Sequence, residues 1–274
     1  YPVVRLDPSV GPRLNVILDS DVVHDVLADR DRFRRPAVGP EEQQRQGLLS
    51  SDGMLWEQQR SVLQPSFVGG TLAEYAAISS DTIESMIAAW PTDGHIDLHE
   101  ELSVLTLRVI TQSLFSRDTD VDRARAVHDA MATLSAEVEP SLADFVVPER
   151  FQSGPSAPFE TADRTIEGVA REFVDWHRSQ ADPPNDMITA LIEAESDPTV
   201  ELSDNELIDE AVLFMTGGQE TTALTITYAF YWLSRHPEMR ERVATEAQSV
   251  LNGEPPSWAD LSDLTYTERV VRET

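Results

Sequence analysis

The sequence contains no cysteine and no lysine. Without thiols, the 274-residue chain can form no disulfide, zinc–thiolate site, iron–sulfur site or cysteine nucleophile of its own. Without lysine, all 21 basic residues are arginine, set against 49 Asp and Glu, and the net charge is −28. A surface this negative repels nucleic-acid phosphates and anionic lipid headgroups, so neither nucleic acid nor membrane is expected as a partner. The acids are spread along the chain, a pattern that fits a high-salt proteome of the haloarchaeal kind, where salt screens the repulsion. The alternative is a GC-rich genome whose arginine codons displace lysine. The opening Tyr1-Pro-Val-Val-Arg5 is not a basic start followed by an apolar stretch, so a cytoplasmic protein is expected. With no initiator methionine and an end at Arg272-Glu-Thr274, both termini read as cuts in a longer pattern. The nucleophile elbow, the P-loop and the dinucleotide fingerprint are also missing.

What is present is a chain that is 41% hydrophobic, ordinary for a globular protein. Val3–Leu6 and Arg13–Leu18 read as two strands of a hairpin. Asp19 or Ser20 is placed to cap a helix to about Ala28. The arginines at 30, 32, 34 and 35 form a local basic spot that could dock an acidic redox partner; the alternative is a simply solvated run, partly neutralised by Asp29 and Asp31. Residues 36–47 and 145–158 read as loops. The rest is helical. A short helix stops before Pro65. Thr71 with Glu74, Asp97 with Glu100 and Ser203 with Glu206 read as capping boxes ahead of helices ending near Trp90, Phe115 and Arg235. Further helices are expected over 121–138, 159–179, 186–194 and from Pro237 to Asn252-Gly253. No domain boundary is evident, and 1–274 is taken as one partial domain, mainly α with a small β portion.

The helix from Ser203 to Arg235 carries the chemistry. It has about 32 residues, roughly 48 Å at 1.5 Å per residue, and must cross the domain. It is no membrane span, because Gln219, Glu220, Thr221 and Thr222 lie at its centre. Gly217 and Gly218 precede them, at about 1 kcal/mol each against alanine in a helix interior. Bare backbone there lets something flat or large approach. Phe214, Gly217, Gly218 and Thr221 share one side at i, i+3, i+4, i+7 spacing. A glycine notch beside a hydroxyl and an acid suits a ligand face that handles protons. The alternative is that the glycines only admit a neighbouring helix and that the threonines bond back to the preceding turn. Upstream, Trp56 and Arg60 are four apart on one helix face, with Pro65-Ser-Phe67 following. His95, Asp97 and His99 can be imagined as a metal site, but Asp97 is better explained as a helix cap, and no metal site is assigned.

Gly217-Gly218-Gln219-Glu220-Thr221-Thr222 resembles the signature of the cytochrome P450 family in its long central helix. Trp56-x-x-x-Arg60 with Pro65-x-Phe67 resembles that family's upstream motif, and Thr267-Glu-Arg-Val-Val-Arg-Glu273-Thr274 resembles the start of its Glu-x-x-Arg helix, with Glu273 as the glutamate. The resemblance implies the P450 fold, truncated at its C-terminus before the cysteine that binds the iron. It implies haem as cofactor, with Trp56 and Arg60 on its propionates, Gly217 and Gly218 lining the oxygen pocket, Phe214 beside them among the cofactor-binding residues, and Thr221 with Glu220 supplying protons. It further implies monooxygenation of a small apolar organic substrate with O2, and a ferredoxin or flavoprotein reductase as electron donor. Two alternatives stand beside it: a peroxygenase or rearranging enzyme of the same fold that needs no electron partner, and a haem-free helical scaffold.

Overall fold

The structure, a computed structural model, describes residues 2–7, 13–29, 32–33, 45–138, 155–197, 200 and 202–274. The chain divides into two compact units: residues 1–44 with 134–160, and residues 45–133 with 161–274.

The first unit holds the small β portion. Strands β1 (Val3–Leu6) and β2 (Leu14–Ile17) pair antiparallel, with Val3 opposite Ile17 and Leu6 opposite Leu14. Helix α1 (Ser20–Ala28) follows, and Asp19 is its cap: the carboxylate accepts from the Asp21 and Val22 N–H groups at 3.0 and 3.2 Å. The hairpin turn, the basic spot except Arg32, and most of both expected loops lie outside the described residues.

The second unit is helical among its described residues. Its elements are α2 (Gly53–Leu63), a 3-10 turn (Gln64–Phe67), α3 (Thr71–Ala89), α4 (Leu98–Phe115), most of α5 (Val121–Val138) and of α6 (Ala157–Ser179), α7 (Met187–Glu195), α8 (Asp204–Arg235), α9 (Pro237–Leu251) and α10 (Thr265–Glu273). The long helix has the expected 32 residues. Its capping box is complete: the Glu206 N–H donates to Ser203 Oγ at 3.3 Å, and the Ser203 N–H to Glu206 Oε2 at 2.6 Å. Asp97 caps α4 through the Glu100 N–H at 3.1 Å, so its carboxylate is engaged in the helix start.

The box at Thr71 does not form. The cap is Gly70, already in helical conformation, and the Thr71 hydroxyl donates backward to the Val68 carbonyl at 2.7 Å. Gly69, at φ +64°, turns the chain one residue earlier than the capping signature implies, so Thr71 sits inside the first turn.

The core forms where amphipathic helices meet α4 and α8. On α6, Ala162, Ile166, Val169, Ala170, Phe173, Val174 and His177 are buried at helical spacing, and Phe173 packs on Phe115 with ring centroids 5.7 Å apart. α4 lies along α8, where Leu102 and Leu105 cluster with Met86 of α3 and Ala223 of α8. The two helices run antiparallel, since Leu105 meets Ala223 while Ile110 meets Gly218. Arg171 and Arg178 of α6 both reach Asp204 in the first turn of α8, at 3.4 and 2.8 Å. Those guanidinium groups hold the Asp204 carboxyl below its usual range, with the Arg178 hydrogen bond the larger cause.

Candidate active site

The two glycines of α8 do different things. A Cβ at Gly218 would lie 2.5 Å from Ile110 Cδ1 and 3.1 Å from Ile110 Cγ1. Gly218 therefore admits α4, which is the helix-packing alternative for that position. A Cβ at Gly217 would meet nothing within 4 Å. Position 217 leaves bare backbone on an open face, one residue and about 100° around the helix from the packed one.

That open face continues along α8. Thr221, Leu224 and Tyr228 follow Gly217 at i+4, i+7 and i+11, and all are exposed. The Thr221 hydroxyl donates to the Gly217 carbonyl at 2.8 Å, which fixes its proton inward and turns the oxygen lone pairs outward. Thr216 and Thr225 bond back in the same way, at 2.8 Å to Val212 and Thr221. Glu220 is half-buried, and Gln219, one residue earlier, is fully buried against α4, where its carbonyl accepts from Thr106 Oγ1 at 3.0 Å.

The upstream motif reaches α8 through an aromatic stack. Phe67, in the 3-10 turn after α2, lies on Phe214 with centroids 5.6 Å apart and planes 26° apart. Phe214 is one turn before Gly217 on the same stripe. On α2 itself, the Arg60 guanidinium lies over the Trp56 ring at 5.3 Å, and Arg60 is exposed. The helix spacing thus places the cation and the indole together, as four-residue separation requires.

Residues that the sequence reading passed over complete the join between α2 and α8. Gln59, 1% exposed, accepts from Ser51 Oγ and donates to the Gln46 carbonyl, both at 2.5 Å. Gln46 donates its own N–H to Asp209 of α8 at 2.8 Å, and Arg45 reaches Asp209 at 2.9 Å and Asp163 at 2.6 Å. Glu210 is fully buried, and burial pushes its carboxyl up to about 7 against a weaker pull from the Leu48 N–H. It stands eleven residues before Thr221, on the same side of the helix, but with Asp209 and Ala211 as its chain neighbours nothing local marks it as buried.

A family model for cytochrome P450 matches residues 2–274. Among curated proteins, the chain is 28% identical over 277 residues to cyclooctat-9-en-7-ol 5-monooxygenase of Streptomyces melanosporofaciens, covering 99% of this chain and 59% of that one. It is 27% identical to pentalenene oxygenase of Streptomyces avermitilis, covering 83% and 51%. It is 30% identical to leukotriene-B4 omega-hydroxylase 3 of Mus musculus, covering 97% and 57%. The chain thus spans between half and three fifths of these relatives.

Proposed function

The chain belongs to the cytochrome P450 family, and from that premise we propose that the whole protein is a haem-dependent monooxygenase inserting one atom of O2 into an apolar organic substrate. The observation that carries this reading is the open stripe on α8, where bare backbone at Gly217 adjoins the Thr221 hydroxyl.

The family implies haem as cofactor, and the residues fit it. A flat macrocycle needs a surface without a projecting side chain, which Gly217 supplies, with apolar area at Leu224 and Tyr228 beyond. When bound, haem supplies the redox-active iron that activates dioxygen. Trp56 and Arg60 would hold its propionates, an indole N–H and a guanidinium fork being matched to carboxylates. The proposal places the thiolate ligand outside these residues, since the sequence has no cysteine.

The chain's own residues would manage protons and water. Thr221 keeps its hydroxyl proton on the Gly217 carbonyl and offers lone pairs to the open face. A hydroxyl so held accepts a hydrogen bond from the open face, and rotation about its Cβ–Oγ bond would turn its own proton outward for donation there. Glu220 is the adjacent carboxylate that would replenish it. The Phe67–Phe214 stack walls one end of the stripe with apolar rings, which hinders water. A peroxide-driven or rearranging relative would have no use for such a proton pair.

The names of the relatives support a carbon-rich substrate: cyclooctat-9-en-7-ol, pentalenene and leukotriene B4. Electrons would come from a ferredoxin or a flavoprotein reductase. A high-salt, cytoplasmic setting is part of the same proposal, supported by the acidic composition. Among the described residues no helix is long and apolar enough to cross a membrane. The test is to supply the whole haem-loaded protein with reductant, a ferredoxin or flavoprotein and isotopically labelled dioxygen. Label in the hydroxyl group of an apolar product is the expected result; turnover without label in the product would sink the reading.

A further inference from the structure

Glu210 stands out among the buried groups that the proposed chemistry does not use. It is 0% exposed, and among the described residues neither carboxyl oxygen has a well-formed hydrogen bond. An ionised carboxylate so placed lacks the partners that would offset its lost hydration.

What closes over it is the segment Arg45–Ser51. Gly47 lies against α8 so closely that a Cβ there would stand 3.3 Å from both the Asp209 carbonyl and Leu213 Cδ2. A turn follows, in which the Ser50 and Ser51 N–H groups donate to the Gly47 carbonyl at 2.8 and 2.9 Å. The Leu48 N–H is the group that faces the Glu210 carboxyl. The segment is tied at both sides: to α2 through Gln59 and to α8 through Asp209. It is a strap joining the helix of Trp56 and Arg60 to the helix of Gly217 and Thr221.

The charged groups around Glu210 do not relieve it. Asp209, beside it on α8, adds repulsion. Arg45 on the strap is already bonded to Asp209 and Asp163, with Glu167 of α6 at 4.0 Å. Glu206, one turn earlier on α8, is engaged in the capping box.

We propose that Glu210 is a positioning residue: its neutral carboxyl lets the 45–51 strap seat on α8, and a charge there lifts the strap and loosens the hold of α2 on α8. Its bearing on haem rests on the functional reading above, but the strap itself does not. The burial that raises the carboxyl to about 7 sets the working range near neutral pH. With an open-state value of 4.5 and a closed-state value of about 7, linkage makes strap opening about tenfold more populated at pH 8.5 than at pH 6.

The experiment is hydrogen exchange on peptides covering residues 45–51 in the whole protein, with and without haem, corrected for base catalysis. Wild type is expected to show the roughly tenfold rise, and Glu210→Gln, which stays neutral, is expected to show none. The same dependence in both proteins would overturn the proposal. Because the variant can fail to fold, infrared difference spectra of wild type between pH 6 and 8.5 give a second check: loss of a buried protonated carboxyl band is expected, and its absence would overturn the proposal equally. A strap that behaves as described in a protein showing no oxygen insertion would leave the inference standing and the enzyme reading fallen. Haem affinity that falls with pH in wild type but not in Glu210→Gln links the two; pH-independent affinity in both removes the link to the haem site.

Discussion

Ile110 of α4 fills the space that a side chain at position 218 of α8 would need, its Cδ1 lying 2.5 Å from the site of a Cβ. Adjacent Gly217 has no such neighbour. Identical substitutions at the two positions should therefore have opposite effects on stability. Gly218→Ala forces Ile110 aside at about 1–3 kcal/mol, offset by about 1 kcal/mol of helix propensity, for a net loss near 1 kcal/mol. Gly217→Ala should gain up to about 1 kcal/mol while reducing haem affinity, because the methyl stands on the open face. Urea unfolding and haem titration of both variants check this. In a double-mutant cycle on an Ile110→Ala background, the cost of Gly218→Ala should vanish while the effect of Gly217→Ala stays the same.

Thr221 separates a chemical role from a structural one. Its hydroxyl is spent locally on the Gly217 carbonyl, and its side chain is exposed, so Thr221→Ala should leave stability unchanged or raise it by a few tenths of a kcal/mol. In the whole protein, the same variant should oxidise reductant without forming a matching amount of product, and Thr221→Ser should recover most of the coupling. Equal ratios of product to reductant in wild type and Thr221→Ala would remove Thr221 from its proposed role.

How much of this was legible in the sequence depends on the range of the interaction. Helix extents followed from local signals: Ser203 with Glu206 and Asp97 both start helices where their spacing says they should. Thr71 failed because the conformation of Gly69 and Gly70, the two residues before it, decides where that helix begins. The stripe of Phe214, Gly217 and Thr221 was readable from helical periodicity alone. Which glycine opens and which packs was not, since that depends on the side from which α4 approaches. The burial of Glu210 was equally hidden, because it is created by a strap more than 150 residues earlier in the chain.

His177 and Asp186 form a buried pair at the corner between α6 and α7. Asp186 Oδ2 lies 2.8 Å from His177 Nε2, its Oδ1 accepts from the Thr189 N–H at 3.0 Å, and His177 Nδ1 donates to the Phe173 carbonyl at 2.7 Å. The two side chains are 0% and 3% exposed. Asp186→Ala removes a helix cap and strands a buried imidazole, so a loss of about 3–5 kcal/mol is expected. Asp186→Asn keeps a cap oxygen and should lose less. Thermal unfolding of both variants measures the difference.

The charge imbalance makes its own prediction. Exposed pairs such as Arg123–Glu172 contribute about 0–1 kcal/mol each, whereas a net charge of −28 repels itself across the whole surface. Raising salt from about 0.1 M to about 1 M shortens the screening length from about 10 Å to about 3 Å. Repulsion among the unpaired acids should relax by more than the arginine pairs weaken. The unfolding midpoint should therefore rise with sodium chloride, and a falling midpoint would show that the arginine pairs dominate.

Glu210 also governs how global stability should vary with pH. Its carboxyl is raised from 4.5 to about 7 by burial, with Asp209 adding to the rise and the Leu48 N–H opposing it. Between those two values the native chain holds a proton that the unfolded chain has released. The associated stability is complete below about 4.5, declines as pH rises, and is gone above about 7. Over the interval from pH 5.5 to 8.5 this amounts to a loss of about 2 kcal/mol. Asp204 and Glu172, whose carboxyls are lowered by arginine partners, lose their contributions only as pH falls toward and below the ordinary carboxylate range, so they do not mask it. Urea unfolding at the two pH values should show this decline in wild type and a much flatter profile in Glu210→Gln, with the variant the more stable protein at pH 8.5. Parallel profiles would mean that another group releases the proton.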